Sequence, residues 1–473
     1  MYYELILLLD QNIDCFYTIV TLQRQADRIN MNDGKLGLME CVNILIGGMI
    51  GSAIFSLSGL TMFSAGPSAM LSWLIAGVVM MLYGMLVCEL ACRYPQSGGV
   101  YVFPRKAFGD KNGKLWAWLS CWGSILTNIV AIAFGAIYVG IYLGVAFPIA
   151  NDYQILLALI AIAISFVANI IKFTIAGKIN NVVVGLLIVT ILTYVFAALF
   201  NENFETANFL PFFSQGANGK AAFLSAVPIA IIGYSSINAM AFVVAEVKKP
   251  ETTVSKSILI AISVVIVVYC LVIFSTMGLI TAKFLADNPA MRFIPLFAAC
   301  FNKLQNLPWL SEIVSFSATI ALLTTMLVCV TMNSRNIQAA AEDGNLPMLF
   351  AKNNKNGVPA FAAGVTCFLA AIIACFPQLT NIIVNFGAVF NVFTIIITIT
   401  ALIVARKNTE QKPAFVAPGG RAMPAIVLII LVLCNISSIV SGGFNIWLYT
   451  IISFILGIAI YYLMKAHKSA NEE

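Results

Sequence analysis

Apolar runs of about twenty residues recur along this chain from Leu36 to Lys465, and that recurrence limits the fold more than any single motif. A hydrocarbon core of about 30 Å takes roughly 20 apolar residues to cross as an α-helix. In lipid every backbone N–H and C=O must find an internal partner, so only helices and closed barrels span it. Barrel strands would read as alternating segments of about ten residues, and none are evident. Twelve helical spans are expected, near 36–62, 68–92, 115–147, 153–173, 178–200, 221–247, 255–281, 311–341, 358–377, 379–405, 423–441 and 444–465. Composition agrees. The 473 residues are 61% hydrophobic and only 10% charged, with mean hydropathy +0.95, where a soluble domain carries about 25% charged residues.

The connections are short, which leaves no room for an attached soluble enzyme domain. The longest external one, about 282–310, holds Pro289, Pro295 and Pro308 and suits a short helix or lid. Basic residues are split unevenly between the two sets of connections. Only Lys220, Lys283, Arg292 and Lys303 of the 26 fall on one side, and the rich side is expected to face the cytoplasm. Both termini then lie in the cytoplasm of a multi-pass plasma-membrane protein, with the lipid bilayer as its surroundings. The net charge of +6 is scattered over these connections and is no nucleic-acid signal. The expected organisation is a cytoplasmic segment 1–35, a first repeat 36–200, a second 221–406, a helix pair 423–465 and a tail 466–473. Asp10 and Asp14 interrupt the first apolar stretch, so it does not read as a cleavable signal.

The chemistry that remains is narrow. The eleven cysteines contain no CxxC pair and read as small core residues. The one histidine, His467, lies in the tail. Embedded histidine catalysis and histidine metal sites are therefore excluded, and no cofactor or metal is expected.

Two spans carry weak points. In the first, Gly47, Gly48 and Gly51 stand within five residues. Each costs about 1 kcal/mol in a helix relative to alanine. In the sixth, Pro228 removes a backbone donor, and Gly233-Tyr234-Ser235-Ser236-Ile237-Asn238 follows. Taken singly, the first reads as close helix packing and the second as a patched proline kink. Their matching places in two runs of five spans point instead to a transporter with inverted repeats. A restarting helix would offer the N–H groups of Gly51, Ser52, Ala53 and Ile54, beside Ile50, to a carboxylate. A helix ending near Gly233 would offer the carbonyls of Ile231, Ile232 and Gly233 to an ammonium. Tyr234, Ser236 and, from the third span, Asn128 are candidate side-chain contacts. A zwitterion presents both groups on one carbon.

Glu40, Glu89, Glu246, Glu312, Arg335 and Glu342 fall near expected span ends, where snorkelling or local pairing accounts for them. A pocket without a fixed side-chain charge fits a net-neutral substrate and disfavours polycations.

Four blocks stand out in order: Ile50–Phe55, Gly66–Gly77 running on to Glu89–Tyr101, Glu246–Pro250, and Arg335–Pro347. Together they resemble, in family order, amino-acid permeases of the amino acid–polyamine–organocation superfamily. The resemblance implies an all-α leucine-transporter fold with 5+5 inverted repeats, helices 1 and 6 unwound at the midplane, and two extra helices. It also implies secondary amino-acid transport by alternating access, as symporter or antiporter, with a proton as a candidate coupling ion. Carried onto this chain, carboxylate contacts fall on Gly51, Ser52 and Ala53, and ammonium contacts on Ile231, Ile232 and Gly233. Three positions depart from the family pattern. Ala53 stands for a glycine, Ser235 for a glutamate, and Leu187 for a lysine that some relatives carry in the fifth span. The alternatives are a cationic amino-acid or polyamine carrier and a non-transporting sensor on the same fold.

Overall fold

The computed structural model describes the chain from Leu36 to Glu472, apart from Ser52, Pro95, Ser97, 172–177, Ser214, Asn218, 241–246, 408–412 and Ala414. The segment 1–35, Ser52 and Glu246 therefore lie outside the described residues. Those described are helical, with one isolated parallel bridge between Leu36 and Val247.

The first span is two helices rather than one. Helix α1 (Leu38–Met49) stops where Ile50 leaves helical geometry at φ −75° and ψ 81°. The chain resumes as a π-helical turn, Ala53–Leu57, and continues as α2 (Ser58–Ala65). Gly66, at φ +62°, takes a left-handed turn closed to most side chains. Pro67 then opens the helical turn leading into α3 (Ala69–Arg93). A short helix α4 (Gly99–Ala107) connects to the long α5 (Gly109–Ala146), and α6 (Gln154–Ile170) and α7 (Lys178–Leu199) follow.

The sixth segment is interrupted as well. Helix α8 (Ala222–Ile232) contains Pro228 and ends at Gly233, and a 3₁₀ turn, Ser235–Ala239, takes over. Beyond it run α9 (Pro250–Leu279), the short α10 (Ala282–Asp287) and α11 (Pro295–Lys303), and α12 (Pro308–Glu342). The proline-containing connection thus carries two small helices. Helices α13 (Ala360–Ala374) and α14 (Thr380–Ala405) follow.

Where two final spans, 423–441 and 444–465, are expected, one helical run α15 (Ala422–Glu472) passes through Gly442 and Gly443. Two glycines cost about 2 kcal/mol, and long flanking helices absorb that. Eight helical stretches among the described residues are long and apolar enough to cross a membrane, one of them covering Leu38–Arg93. Ala222–Ile232, Ala360–Ala374 and Ala422–Ser437 are shorter apolar helices.

The bundle is apolar on the outside as well as inside. Ile160, Ile164 and Val167 on α6, Phe368 on α13, and Ile455 and Leu463 on α15 are exposed, and water would not tolerate such a surface. Inside, α1 packs against α9, α7, α12 and the turn Ser235–Ala239, while α5 and α12 share an extended interface. Glu89, fully buried on α3, binds Arg93 at 3.1 Å, Arg406 at 2.5 Å and the backbone N–H of Ala417 at 3.0 Å. It lies at the end of a span, as expected, and its charge is fully paired. This cluster ties α3 to the end of α14.

Candidate functional site

The two interruptions meet. A Cβ built on Gly233 would stand 3.0 Å from the Ala53 methyl and 2.7 Å from Trp73 Cζ3. A Cβ on Gly48 would stand 2.8 Å from both Cβ and Oγ of Ser236. A Cβ on Gly51 would collide with the Thr325 hydroxyl of α12 and come within 3.1 Å of the Ala321 carbonyl. The glycines are thus required at close approach, where backbone touches backbone or side chain. Ile50, Ile54, Ile231 and Tyr234 are fully buried, Gly51, Ala53, Gly233 and Ser236 are buried, and Ile232 is half-buried.

Three aromatic rings line this junction. Trp73 lies 4.7 Å from Tyr269 and 6.1 Å from Tyr234, and Tyr234 lies 5.2 Å from Tyr269, centroid to centroid. Trp73 is fixed at its polar end, where Nε1 donates to Thr61 Oγ1 at 2.8 Å. The Tyr234 hydroxyl donates to the Trp73 carbonyl at 3.0 Å. The Tyr269 hydroxyl faces the carbonyls of both Met49 and Gly233, the latter at 3.1 Å.

Four of the backbone groups expected to be free, one N–H and three carbonyls, are already engaged. The Gly51 N–H donates to the Met49 carbonyl at 2.9 Å. The Ile231 carbonyl accepts from Tyr234 N–H at 3.0 Å, Ile232 from Ser235 Oγ at 2.8 Å, and Gly233 from Tyr269. Broken helix ends buried without water satisfy themselves locally. A carbonyl oxygen still has a second lone pair for a ligand. Gly51 would have to exchange its partner.

Asn128 is engaged elsewhere. Its amide donates to the Ser124 carbonyl at 2.8 Å and to Ser124 Oγ at 3.1 Å, and Asn336 of α12 donates to the same Oγ at 2.8 Å. That cluster joins α5 to α12, as the packing reading of buried polar residues suggests. Sequence reasoning missed Trp73, Tyr269 and Thr325, because each reaches the breaks only through tertiary packing. The Gly66-Pro67 turn, which sets Trp73 near the start of α3, was the nearest available signal.

A separate cavity of about 390 Å³ is lined by Gln96, Tyr101, Arg105, Lys106, Glu342 and Asp343, among others. Tyr101 and Arg105 both donate to Asp343 Oδ2, at 2.6 and 2.7 Å, and Asn345 donates to the Tyr101 hydroxyl at 2.8 Å. Burial and the neighbouring Asp343 carboxylate push the Tyr101 phenol well above the usual tyrosine range. Asp343 is eighteen residues beyond Thr325, or roughly 27 Å along the helix. This cavity therefore lies well away from the breaks.

An apolar-coated helical bundle with two interrupted helices packed break against break defines a multi-pass membrane protein. The chain belongs to the amino acid permease family, which it matches over residues 36–464. It is accordingly a permease of the amino acid–polyamine–organocation superfamily, a family of transporters rather than enzymes. It is 24% identical to the branched-chain amino acid permease BcaP of Bacillus subtilis, over 93% of this chain and 94% of that one. It is also 26% identical to the chloroplastic cationic amino acid transporter 7 of Arabidopsis thaliana, over 78% of this chain and 65% of that one. A third relative, the methylthioribose transporter of Bacillus subtilis, is 25% identical over 90% of this chain and 92% of its own length.

Proposed function

We propose that the chain is a secondary active transporter that moves a neutral, zwitterionic amino acid across the cytoplasmic membrane by alternating access. In this reading twelve spans form two inverted repeats of five plus a final pair, with both termini in the cytoplasm. The substrate carboxylate binds at Gly51, Ser52 and Ala53 and its ammonium at the carbonyls of Ile231, Ile232 and Gly233. The observation that carries the reading is the contact between the two breaks, Ala53 against Gly233, enclosed by Trp73, Tyr234 and Tyr269. Ile50, Ile54 and Ile231 make the surroundings apolar, which suits an aliphatic side chain. The names of two relatives, from Bacillus subtilis and Lactococcus lactis, point the same way.

The test is uptake of labelled leucine, and then of each other amino acid, into proteoliposomes, with and without a proton gradient and with amino acid preloaded inside. Saturable uptake competed by neutral amino acids is expected. Dependence on the gradient marks symport, and dependence on preloading marks exchange. Gly51→Val should abolish uptake while the protein still expresses. Competition by arginine or putrescine would move the substrate class to cations, and no uptake of any amino acid would refute transport.

A further inference from the structure

We propose that Tyr269 is a positioning residue that locks the two interrupted segments together, so that their breaks open and close in one step. Its hydroxyl sits between the Met49 carbonyl, where α1 ends, and the Gly233 carbonyl, where α8 ends. A phenol has one proton to donate. The two carbonyls share that donor, and moving one break away from the other either strips the Gly233 carbonyl of this bond or leaves the Met49 carbonyl with the Gly51 N–H alone. The ring itself cannot swing aside to follow either segment alone. It is fully buried, meets Trp73 edge-on at 83° and 4.7 Å, and packs against Tyr234 at 5.2 Å.

A second tie joins the same two segments at the opposite end of α1. Leu36 pairs with Val247, and the Lys248 N–H donates to the Leu36 carbonyl at 2.9 Å. Between the two ties, Gly48 packs against Ser236 with no room for a side chain. Helix α1 is therefore held to the sixth segment at both of its ends. The chain beyond the first break is anchored differently. The Phe55 carbonyl accepts the Tyr142 hydroxyl of α5 at 2.6 Å, and the Phe55 and Tyr142 rings meet edge to face. Beyond the first break the chain thus gains a tie to α5 in addition to its packing against α8 of the sixth segment.

Hydrogen–deuterium exchange of the full chain in detergent micelles tests this without knowledge of the substrate. Tyr269→Phe keeps the ring and removes only the shared proton. Exchange should rise by about tenfold, the scale of one lost hydrogen bond, in peptides covering 46–51 and 230–237 together. Peptides from 310–323 in α12 should be unchanged. Tyr142→Phe should raise exchange near 54–60 and leave 230–237 as it was. Tyr234→Phe, which leaves the Tyr269 hydroxyl but loosens the cage around its ring, should raise both segments by a smaller factor. A rise in only one segment, in neither, or uniformly through α12 would overturn the proposal. Absence of uptake of any amino acid by the unaltered protein, with the paired exchange response intact, would refute the transport reading and leave the lock standing.

Discussion

Replacing Gly233 by alanine places one methyl at the point where the two breaks touch. The backbone there, at φ −61° and ψ −20°, is ordinary right-handed helical geometry, so alanine meets no conformational penalty. Through the unfolded state it would even stabilise by about 0.4–1 kcal/mol. The cost is steric. The new Cβ would lie 2.7 Å from Trp73 Cζ3 and 3.0 Å from the Ala53 methyl, where carbon atoms prefer about 3.5–4.0 Å. Trp73 cannot retreat easily, because Thr61 holds its nitrogen and Tyr269 packs against its face. Overpacking of this kind costs about 1–3 kcal/mol. Expressed as a population of the packed arrangement, that is roughly a 5- to 150-fold loss. Uptake into proteoliposomes should fall within that range, and the thermal midpoint in detergent should drop. Ala53→Gly relieves the longer of the two contacts, so the double variant Ala53→Gly with Gly233→Ala should recover part of the loss. A double-mutant cycle measures that coupling, expected at about 0.5 kcal/mol or more for residues in contact. Full uptake by Gly233→Ala, or strictly additive effects, would show that the breaks do not pack as described.

Two further perturbations test the frame around the breaks. Glu89→Gln leaves the Arg93 and Arg406 guanidiniums without their buried carboxylate, at a cost of about 3 kcal/mol or more. The thermal midpoint should fall and added salt should not restore it, since buried pairs are little screened. Tyr101→Phe removes the phenol that bonds Asp343. Because the folded phenol titrates above its unfolded value, its contribution is complete below the unfolded tyrosine pKa and is lost only as pH rises through the folded one. The stability difference between wild type and Tyr101→Phe should therefore stay level from about pH 6 to pH 9; a decline within that window would contradict the buried bond.

Much of the architecture was readable because membrane spans are local. An apolar run either is or is not long enough, and α3, α5, α7 and α14 begin and end close to where hydropathy alone sets them. The interruptions were readable too, since Gly51, Pro228 and Gly233 weaken a helix wherever they stand. What closes around those interruptions was not. Trp73, Tyr269 and Thr325 lie 22 or more positions away from the break each one touches, or on another helix entirely, and nothing in their local sequence marks them. The sequence also suggested backbone groups left open by the breaks, whereas Gly51, Ile231, Ile232 and Gly233 all find partners nearby. Asn128 illustrates the limit from the other side. Its depth in the bundle suggested a contact with the breaks, but helical spacing gives it Ser124 four residues earlier. Two final spans, 423–441 and 444–465, were expected, yet Gly442 and Gly443 between them do not end the helix.

The carboxylate of Glu89 carries a mechanical consequence. It grips Arg93 on its own helix, Arg406 at the end of α14, and the backbone at Ala417 beyond that helix. Two stretches of chain more than three hundred residues apart in sequence, one holding Glu89 and Arg93 and the other Arg406 and Ala417, are thereby pinned to one point. Bending elsewhere is free to occur, but a rotation axis that separated α3 from the end of α14 would have to tear this knot. Those two helices turn as a single lever, and the pivot of any rocking motion lies on some other seam of the bundle.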